Sequence, residues 1–184
     1  MTRRRELTAV YLTGLAAVLL ASVPYFVGWS LRGLASIDGL LDGVPTTSSE
    51  LGAATPADHP NGVVAIDHVV LLSPDVDRTV GAFAELGLEP RRERHGELGG
   101  QPIRQVFFRL GEVIVELVGS PDTASEGPAS LWGITYVVDD LDASAAYLGE
   151  HAGRVKDAVQ PGRRITTLRH RDLGLSVRTA LISR

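Results

Sequence analysis

Apolar and polar positions along residues 64–118 follow an order that returns along residues 130–182. Residues 64–72 are almost continuously apolar, which is typical of a buried strand, and polar turn residues end that strand. Asp75 then begins a helix with an apolar stripe, because acidic side chains suit the helix dipole, and Gly87 ends it. Further strands are predicted over residues 89–94, 103–110 and 113–118.

The second copy begins with an apolar strand over residues 131–138, and acidic residues and an alanine-rich helix to Leu148 follow it. Its third strand, residues 160–169, aligns position for position with residues 101–110, since both begin Gln-Pro-x-Arg. The last strand aligns if Ala180 to Ile182 is set against Glu116 to Val118. The repeat therefore predicts an α+β fold of two paired βαβββ modules, residues 63–120 and 129–184.

The amino-terminal residues 7–31 carry no charge and follow three arginines, as a membrane anchor or a secretory signal would. No small-x-small cleavage pattern ends the run, which argues against a cleaved signal. Gly14, Pro24 and many β-branched and aromatic residues favour short strands over one spanning helix, although hydropathy alone allows both. The strands are predicted over residues 7–12, 15–21 and 25–31, with extra amino-terminal strands added to the fold.

Three regions follow from this reading of the chain. Residues 1–37 form an apolar amino-terminal segment, and residues 38–62, rich in glycine, proline, serine and threonine, are predicted to be a loop or linker. Residues 63–184 form the domain that contains both modules. A cytoplasmic location is expected, and anchoring to a membrane through residues 7–31 is the alternative that is not favoured.

Composition excludes several classes of function. The 184 residues carry a formal net charge of -4 with positive and negative side chains interspersed, so no basic field would recruit nucleic acid. There is no cysteine, which excludes disulfides, thiolate metal ligands and cysteine nucleophiles. Neither a nucleophile elbow nor a glycine-rich phosphate loop is present.

The repeat resembles a known family in specific segments. Residues 66–70 open the first unit and residues 115–118 close it, and the second unit contributes residues 131–133 and 156–165. Together they resemble the vicinal oxygen chelate superfamily, also called glyoxalase/bleomycin-resistance/dioxygenase, and in particular a glyoxalase-like actinobacterial branch. The resemblance implies a mixed sheet that curls around a cavity between the modules, and a small-molecule ligand there.

The resemblance also implies a metal held by one residue from the first and one from the last strand of each module. In the first module these positions are His68 and Glu116, which suit a divalent zinc, nickel, iron or manganese ion. In the second module they are Gly133 and Ala180, which have no ligating side chain. A homodimer could supply the missing ligands, and the alternatives are a cavity that holds no metal or local structural roles for both side chains.

Arginines offer a second set of candidate ligand contacts. Strand alternation places Thr135 and Arg178 on the predicted cavity face together with His68. The parity of the third strands stays open, and an inward arginine could bind a carboxylate or phosphate in a bidentate way or simply pair with nearby acids. The inward set is either Gln105, Phe107 and Arg164 or Arg104, Phe108 and Arg163.

The sequence thus predicts a glyoxalase-like protein that binds a small, partly apolar and anionic molecule between its modules. If it is an enzyme, the resemblance implies a metal-dependent lyase or isomerase, or a dioxygenase-like ring opening, with Glu116 as catalytic base or ligand. The alternative is a non-catalytic small-molecule or antibiotic-binding protein of the resistance type. A third class is a tethered or structural module that has lost its site.

Overall fold

The structure is a computed structural model that describes residues 10–11, 28–33, 38–49 and 60–184. Strands predominate over helices in these residues. The elements are β1 (Val10–Tyr11), β2 (Trp29–Arg32), β3 (Asp38–Leu41), β4 (Val44–Ser49), β5 (Val63–Leu72), α1 (Val76–Glu85), β6 (Arg92–Leu98), β7 (Gln101–Leu110), β8 (Val113–Gly119), β9 (Ser130–Val138), α2 (Leu141–Leu148), a 3-10 turn (Gly149–His151), β10 (Lys156–Asp157), β11 (Arg164–Thr167) and β12 (Arg178–Ser183).

The chain forms two compact units. The described part of the first unit comprises residues 10–11, 28–33, 38–49 and 69–132, and that of the second comprises residues 60–68 and 133–184. The boundaries fall inside β5 and β9, so each of these strands contributes residues to both units.

Both modules have the predicted element order. In the first, β5 is followed by α1, β6, β7 and β8, and the sheet order is β5, β8, β7, β6. In the second, β9 is followed by α2, β10, β11 and β12, and the sheet order is β9, β12, β11, β10. The pair β9 and β12 is parallel, whereas β11 is antiparallel to both of its neighbours. The predicted α+β fold with two βαβββ modules and a mixed sheet is confirmed.

Both helices begin at the predicted acidic residues. The Asp75 side chain accepts a hydrogen bond from the backbone N–H of Arg78, and that of Asp140 accepts one from the N–H of Ala143. Each carboxylate satisfies an N–H group that has no partner inside the helix, and its charge suits the positive end of the helix dipole. The chain leaves α1 through Gly87, which has φ of +72° and so a conformation that glycine adopts without strain.

The core of the first unit lies between α1, its sheet and a separate four-stranded sheet. Phe83 of α1 is fully buried and stacks on Phe108 of β7, with the ring centroids 4.3 Å apart. The edge of the Phe83 ring meets Trp29 of β2 at 6.1 Å. Trp29 donates its indole N–H to the hydroxyl of Thr46 over 2.6 Å, so the one polar group of this buried ring is satisfied.

The prediction of a loop over residues 38–62 is wrong for residues 38–49, which form the hairpin of β3 and β4. Leu41 and Val44 face each other next to the turn and are both 2% exposed. Asp42 and Gly43 have φ of +45° and +92°, the combination that two-residue hairpins of the Asp-Gly type require. The sequence prediction gave more weight to the polar composition of this segment, which is typical of a linker, than to its Asp-Gly pair, which is typical of a hairpin.

Of the predicted amino-terminal strands, the first contains β1 and the third overlaps the start of β2. The predicted strand over residues 15–21 lies outside the described residues. The separate sheet has the order β1, β2, β4, β3. Among the residues that the structure describes, no helix has the length and apolar character needed to cross a membrane. The location of the protein in the cell stays a prediction.

Candidate functional site

The two faces of the first-unit sheet differ in chemistry. Val106, Phe108 and Val115 are at most 1% exposed and lie on the face that α1 covers, as the stacking of Phe108 on Phe83 shows. Gln105, Phe107 and Glu116 alternate with them and lie on the opposite face, because successive side chains of a strand point to opposite sides. This opposite side of β6, β7 and β8 is called the open face below.

Three polar side chains form a line across the open face. Arg94 of β6 lies directly opposite Gln105 of β7 and donates from Nε to its amide oxygen over 2.7 Å. The amide nitrogen of Gln105 then donates to a carboxylate oxygen of Glu116 on β8. The guanidinium carbon of Arg94 also lies 5.4 Å from the centroid of the Phe107 ring. Gln105 is 7% exposed, so both of its hydrogen bonds are largely shielded from water.

Arg104 lies on the other side of the strand, toward α1. Its guanidinium donates to Glu93 over 2.8 Å and to Asp77 in the first turn of α1 over 2.6 Å. The hydrogen bonds that Arg104 donates to these two carboxylates raise its pKa above the ordinary value, although burial acts in the opposite direction. Of the two alternatives predicted for the third strand of the first module, Gln105 and Phe107 therefore lie on the open face, and Arg104 and Phe108 lie on the face toward α1.

The second unit has a strand register one residue away from the predicted alignment. Gln105 pairs with Val118 in the first unit, whereas the counterpart of Val118, Ile182, pairs with Ile165. The alignment that set Gln105 against Arg164 is therefore wrong by one position. The shared Gln-Pro letters misled it, because strand register is fixed by cross-strand pairing and not by letter identity.

The ion pairs agree with the corrected register. Arg164 donates to both carboxylate oxygens of Asp142 in the first turn of α2, over 3.0 and 2.7 Å. Arg104 makes the equivalent contact with Asp77 in the first turn of α1. Arg164 is therefore the counterpart of Arg104, and each arginine ties a third strand to the helix of its own module. Arg163 makes different contacts.

A four-residue network surrounds His68 in the second unit. His68 Nδ1 lies 2.8 Å from one carboxylate oxygen of Asp67, and Nε2 lies 3.1 Å from the hydroxyl of Thr135. Arg163 donates from a terminal nitrogen to the other oxygen of Asp67 over 2.5 Å and from Nε to the carbonyl of Ser183 over 2.7 Å. The side chains of Asp67, His68 and Arg163 are 11%, 19% and 22% exposed.

The carboxyl group of Asp67 is held in its charged form. Burial alone would raise its pKa, but the hydrogen bonds from His68 and Arg163 and the positive charge of Arg163 together hold the pKa below the ordinary value. A charged carboxylate can only accept hydrogen bonds, so His68 must carry a proton on Nδ1. In the neutral imidazole, Nε2 is then the acceptor and the Thr135 hydroxyl donates to it.

The remaining candidate residues lie on β12 and in both units. Arg178 begins β12 opposite Gly133 and is exposed. Ala180 lies opposite Thr135, two residues further along the same strand. His68 belongs to the second unit and Glu116 to the first.

Sequence reasoning missed Arg94 and Asp67 as polar partners at these positions. Arg94 could have been found only from the pairing of β6 with β7, which the sequence does not reveal. Asp67 was overlooked because neighbouring residues of a strand point to opposite faces. The side chains of Asp67 and His68 nevertheless bend toward each other, and their ends meet. Strand alternation did place Thr135 on the same predicted face as His68, and the structure brings the two side chains within hydrogen-bond distance.

The residues present do not fit the metal site that the resemblance implies. Functional zinc sites usually have about three or four protein ligands. The described residues contain no group of three or more histidine, aspartate and glutamate side chains that could hold an ion. Both ring nitrogens of His68 have partners, and the second-module positions, Gly133 and Ala180, supply no ligating side chain.

Comparison with protein families shows the superfamily to which the chain belongs. A family profile described as the glyoxalase/bleomycin resistance protein/dioxygenase superfamily matches residues 67–167, more than half of the chain. The chain belongs to this superfamily. The match begins at Asp67, next to His68, and ends before β12, so Ala180 lies beyond the matched part of the superfamily domain. No curated protein gives a significant match.

Comparison with solved structures gives matches at low sequence identity. A mutant 4-hydroxymandelate synthase from Streptomyces coelicolor is similar with a TM-score of 0.61 at 13% identity, over 86% of this chain and 69% of that one. Methylmalonyl-CoA epimerase from Mycobacterium tuberculosis gives 0.49 at 20% identity, over 69% and 92%. The Streptomyces coelicolor epimerase gives 0.48 at 24% identity, over 66% and 94%. At these identities the likeness concerns the fold alone, and a superfamily fold does not define a reaction.

The free energy of unfolding should depend in part on the charge of Asp67 and therefore on pH. The folded-state pKa of Asp67 is below its unfolded value, so its contribution is fully present above the unfolded pKa of about 4 and is lost as pH falls through the folded value. Asp67→Asn is expected to lower the free energy of unfolding by about 1–3 kcal/mol at neutral pH, with the difference shrinking toward pH 3.

The measurement is urea unfolding at a series of pH values. Asp139→Asn is the matched control, because Asp139 pairs with Arg184 over 3.0 Å while both side chains are more than half exposed. Such a surface pair contributes little to stability. A stability difference for Asp67→Asn that does not change between pH 7 and pH 3 would contradict the charged, partly buried role of the carboxylate.

Proposed function

We propose that the protein binds a small anionic, partly apolar molecule on the open face of the first unit, with Arg94 as the anion contact. The observation that supports this most directly is the state of the Arg94 guanidinium. Its Nε is held by Gln105 and its plane is supported by Phe107, while its two terminal nitrogens have no hydrogen-bond partner among the described residues. A guanidinium fixed in this way presents a planar fork that suits a carboxylate or phosphate.

The surroundings add to the proposed specificity. Phe107 and Ile114 lie on the same face and are half-buried, so they offer an apolar contact beside the charged group. Glu116, oriented by Gln105, offers a carboxylate oxygen to a hydroxyl donor of the ligand. Pockets for small molecules combine an apolar lining with a few fixed polar groups in this manner.

A binding test follows from the Arg94 geometry. Phenylacetate and phenyl phosphate serve as anionic probes, and benzyl alcohol serves as their neutral counterpart. Arg94→Gln is expected to weaken binding of both anions by at least about tenfold and to leave the weak binding of benzyl alcohol unchanged, because only the charge-assisted contact is lost. Isothermal titration calorimetry and shifts of amide resonances on β6 and β7 measure the effect.

Arg154→Gln is the matched control, since Arg154 is an exposed arginine of the second unit. It is expected to leave all three affinities unchanged, which shows that net charge alone is not responsible. Equal affinity of the parent protein for phenylacetate and benzyl alcohol would count against an anion site. So would tight anion binding that persists in Arg94→Gln.

Catalysis by Glu116 is the second candidate function. The observation that favours it is the orientation of its half-buried carboxylate by Gln105, an arrangement that suits a general base acting on a carbon next to a carbonyl. Glu116→Gln separates the two functions in the same experiment. Loss of deuterium exchange at the methyl carbon of pyruvate, with the affinity for phenylacetate retained, indicates a base, whereas no exchange by the parent protein leaves a binding protein of the resistance type.

A further inference from the structure

We propose that the ligand of the open face carries two separate anionic groups on an apolar body, one bound by Arg94 and the other by Arg92 and Arg109. An aromatic dicarboxylate is the simplest molecule of this class. The inference rests on the proposed function and deepens it, because it takes the anion contact at Arg94 as given and adds a second anion position on the far side of Phe107.

Strand pairing places Arg92 and Arg109 on the open face. Arg92 of β6 lies directly opposite Phe107 of β7, and Arg109 follows Phe107 by two residues on the same strand. Side chains two residues apart on a strand point to the same side, so Arg109 shares the side of Phe107 and Arg92 shares that of Arg94. Three arginines therefore surround one half-buried aromatic side chain.

The spacing of the arginines favours two anion positions. Arg94 lies opposite Gln105, on one side of Phe107 along the strand direction, while Arg109 lies on the other side. With a rise of about 3.3 Å per residue and strands about 4.8 Å apart, the Cα atoms of Arg94 and Arg109 are about 14 Å apart, and those of Arg92 and Arg109 about 8 Å. A ligand that lies on the Phe107 ring therefore has one end at Arg94 and the other at the diagonal pair.

The open face also has an excess of positive charge that a monoanion would not neutralise. The described residues of β6, β7 and β8 on this face include three arginines and one carboxylate, that of Glu116. In the same part of the chain, the side chains of Arg92 and Arg109 form no hydrogen bond or ion pair and are exposed. Arg104 on the opposite face differs, since two carboxylates accept its hydrogen bonds. Charge complementarity therefore favours a ligand with two negative charges.

The surface between the two anion positions is apolar. Phe107 lies between them, and Ile114 of β8 lies directly opposite Arg109 on the same face. Both side chains are half-buried, so part of each remains accessible to a ligand. Unpaired exposed arginines are ordinarily solvated, but here they flank an apolar surface, which suits a molecule with an apolar centre and charged ends.

The first test compares three probes on the unaltered protein by isothermal titration calorimetry at constant ionic strength. They are phenylacetate, 1,4-phenylenediacetate and 1,2-phenylenediacetate. The 1,4 isomer is expected to bind at least about tenfold more tightly than the other two, because only its carboxylates lie at opposite ends of the ring. Equal affinity of the two isomers would overturn the proposal, since they carry the same charge and differ only in the positions of their anionic groups.

The second test removes the proposed second anion position. Arg92→Gln and Arg109→Gln are each expected to weaken binding of 1,4-phenylenediacetate by at least about fivefold and to change that of phenylacetate by less than about twofold. Arg91→Gln is the matched control, because Arg91 is an exposed arginine next to Arg92 and strand alternation directs it to the other side. It should leave both affinities unchanged, and an equal loss in Arg91→Gln would show that net charge alone is responsible.

A melting curve without ligand separates binding from a structural role. Arg109→Gln should not lower the melting temperature, because the Arg109 side chain has no partner within the described part of the chain. A clear decrease would show that this arginine stabilises the fold and would contradict its assignment as a ligand contact.

Failure of this inference and failure of the proposed function give different results. If phenylacetate binds through Arg94 and 1,4-phenylenediacetate binds no more tightly, the ligand with two anionic groups is excluded and the anion site at Arg94 stands. If neither probe binds, both proposals are wrong. Tighter binding of the 1,4 isomer that is lost in Arg92→Gln and Arg109→Gln, with phenylacetate binding retained, supports both.

Discussion

Replacing Phe83 with alanine is expected to lower the free energy of unfolding by about 3–5 kcal/mol, the usual cost of removing a buried aromatic side chain. Phe83 is fully buried, and its ring contacts two other aromatic rings at once. It stacks on Phe108 of β7 on one side and meets Trp29 of β2 at its edge on the other. Its removal would therefore leave a cavity at the point where α1 meets both sheets of the first unit.

Urea unfolding followed by tryptophan fluorescence and circular dichroism measures this loss. Tyr147→Ala on α2 is the matched control, because this aromatic residue is 65% exposed and its truncation should change stability by less than about 0.5 kcal/mol. The two helices occupy equivalent places in their modules, so the comparison isolates burial. A loss below about 1 kcal/mol for Phe83→Ala would contradict the packing described, because the surrounding side chains are not expected to collapse and fill a cavity of this size.

Gly119→Ala is expected to destabilise the protein by about 1–3 kcal/mol, although it adds only one methyl group. A Cβ atom at Gly119 would lie 2.5 Å from a methyl carbon of Val76 and 2.6 Å from the carbonyl oxygen of Ser73. The carbonyl cannot move away cheaply, because the backbone N–H of Ser73 is bonded to the carbonyl of Val118 over 2.9 Å. The end of β8 and the start of α1 are therefore packed too closely for any side chain.

The control for Gly119 has the opposite expected sign. Gly81 lies inside α1, and a Cβ atom there would meet nothing within 4 Å. Gly81→Ala should therefore stabilise the protein by about 0.5–1 kcal/mol through the better helix propensity of alanine. Chemical unfolding of both variants against the parent chain provides the test. A neutral or stabilising effect of Gly119→Ala would show that the β8 end can shift to accept the methyl group.

Local sequence patterns predicted the elements of each module well because they depend on short-range physics. The acidic caps at Asp75 and Asp140 and the glycine after α1 act within a few residues, and the structure confirms each of them. The hairpin of β3 and β4 carried an equally local signal in Asp42 and Gly43, and it was missed only because the surrounding composition resembles that of a linker.

The site was less predictable because its contacts cross between strands. The alternation of side chains along a strand shows which of its residues share a face. It does not show which face of the third strand points to the site, or which residue of the neighbouring strand lies opposite. Gln105 could be placed only once Arg94 and Glu116 were known to flank it. The contact of Arg163 with Asp67 joins residues that are 96 positions apart, and no spacing rule connects them.

The sequence by itself determined the repeat and the two βαβββ modules, because these follow from the order of apolar and polar positions, and its resemblance to the superfamily rested on a few specific segments. It also showed that Gly133 and Ala180 have no ligating side chain. Only the tertiary structure decided the strand register, which moved the counterpart of Arg104 from Arg163 to Arg164. It likewise decided that His68 lies between Asp67 and Thr135, since hydrogen bonds between distant segments depend on positions that no local pattern encodes.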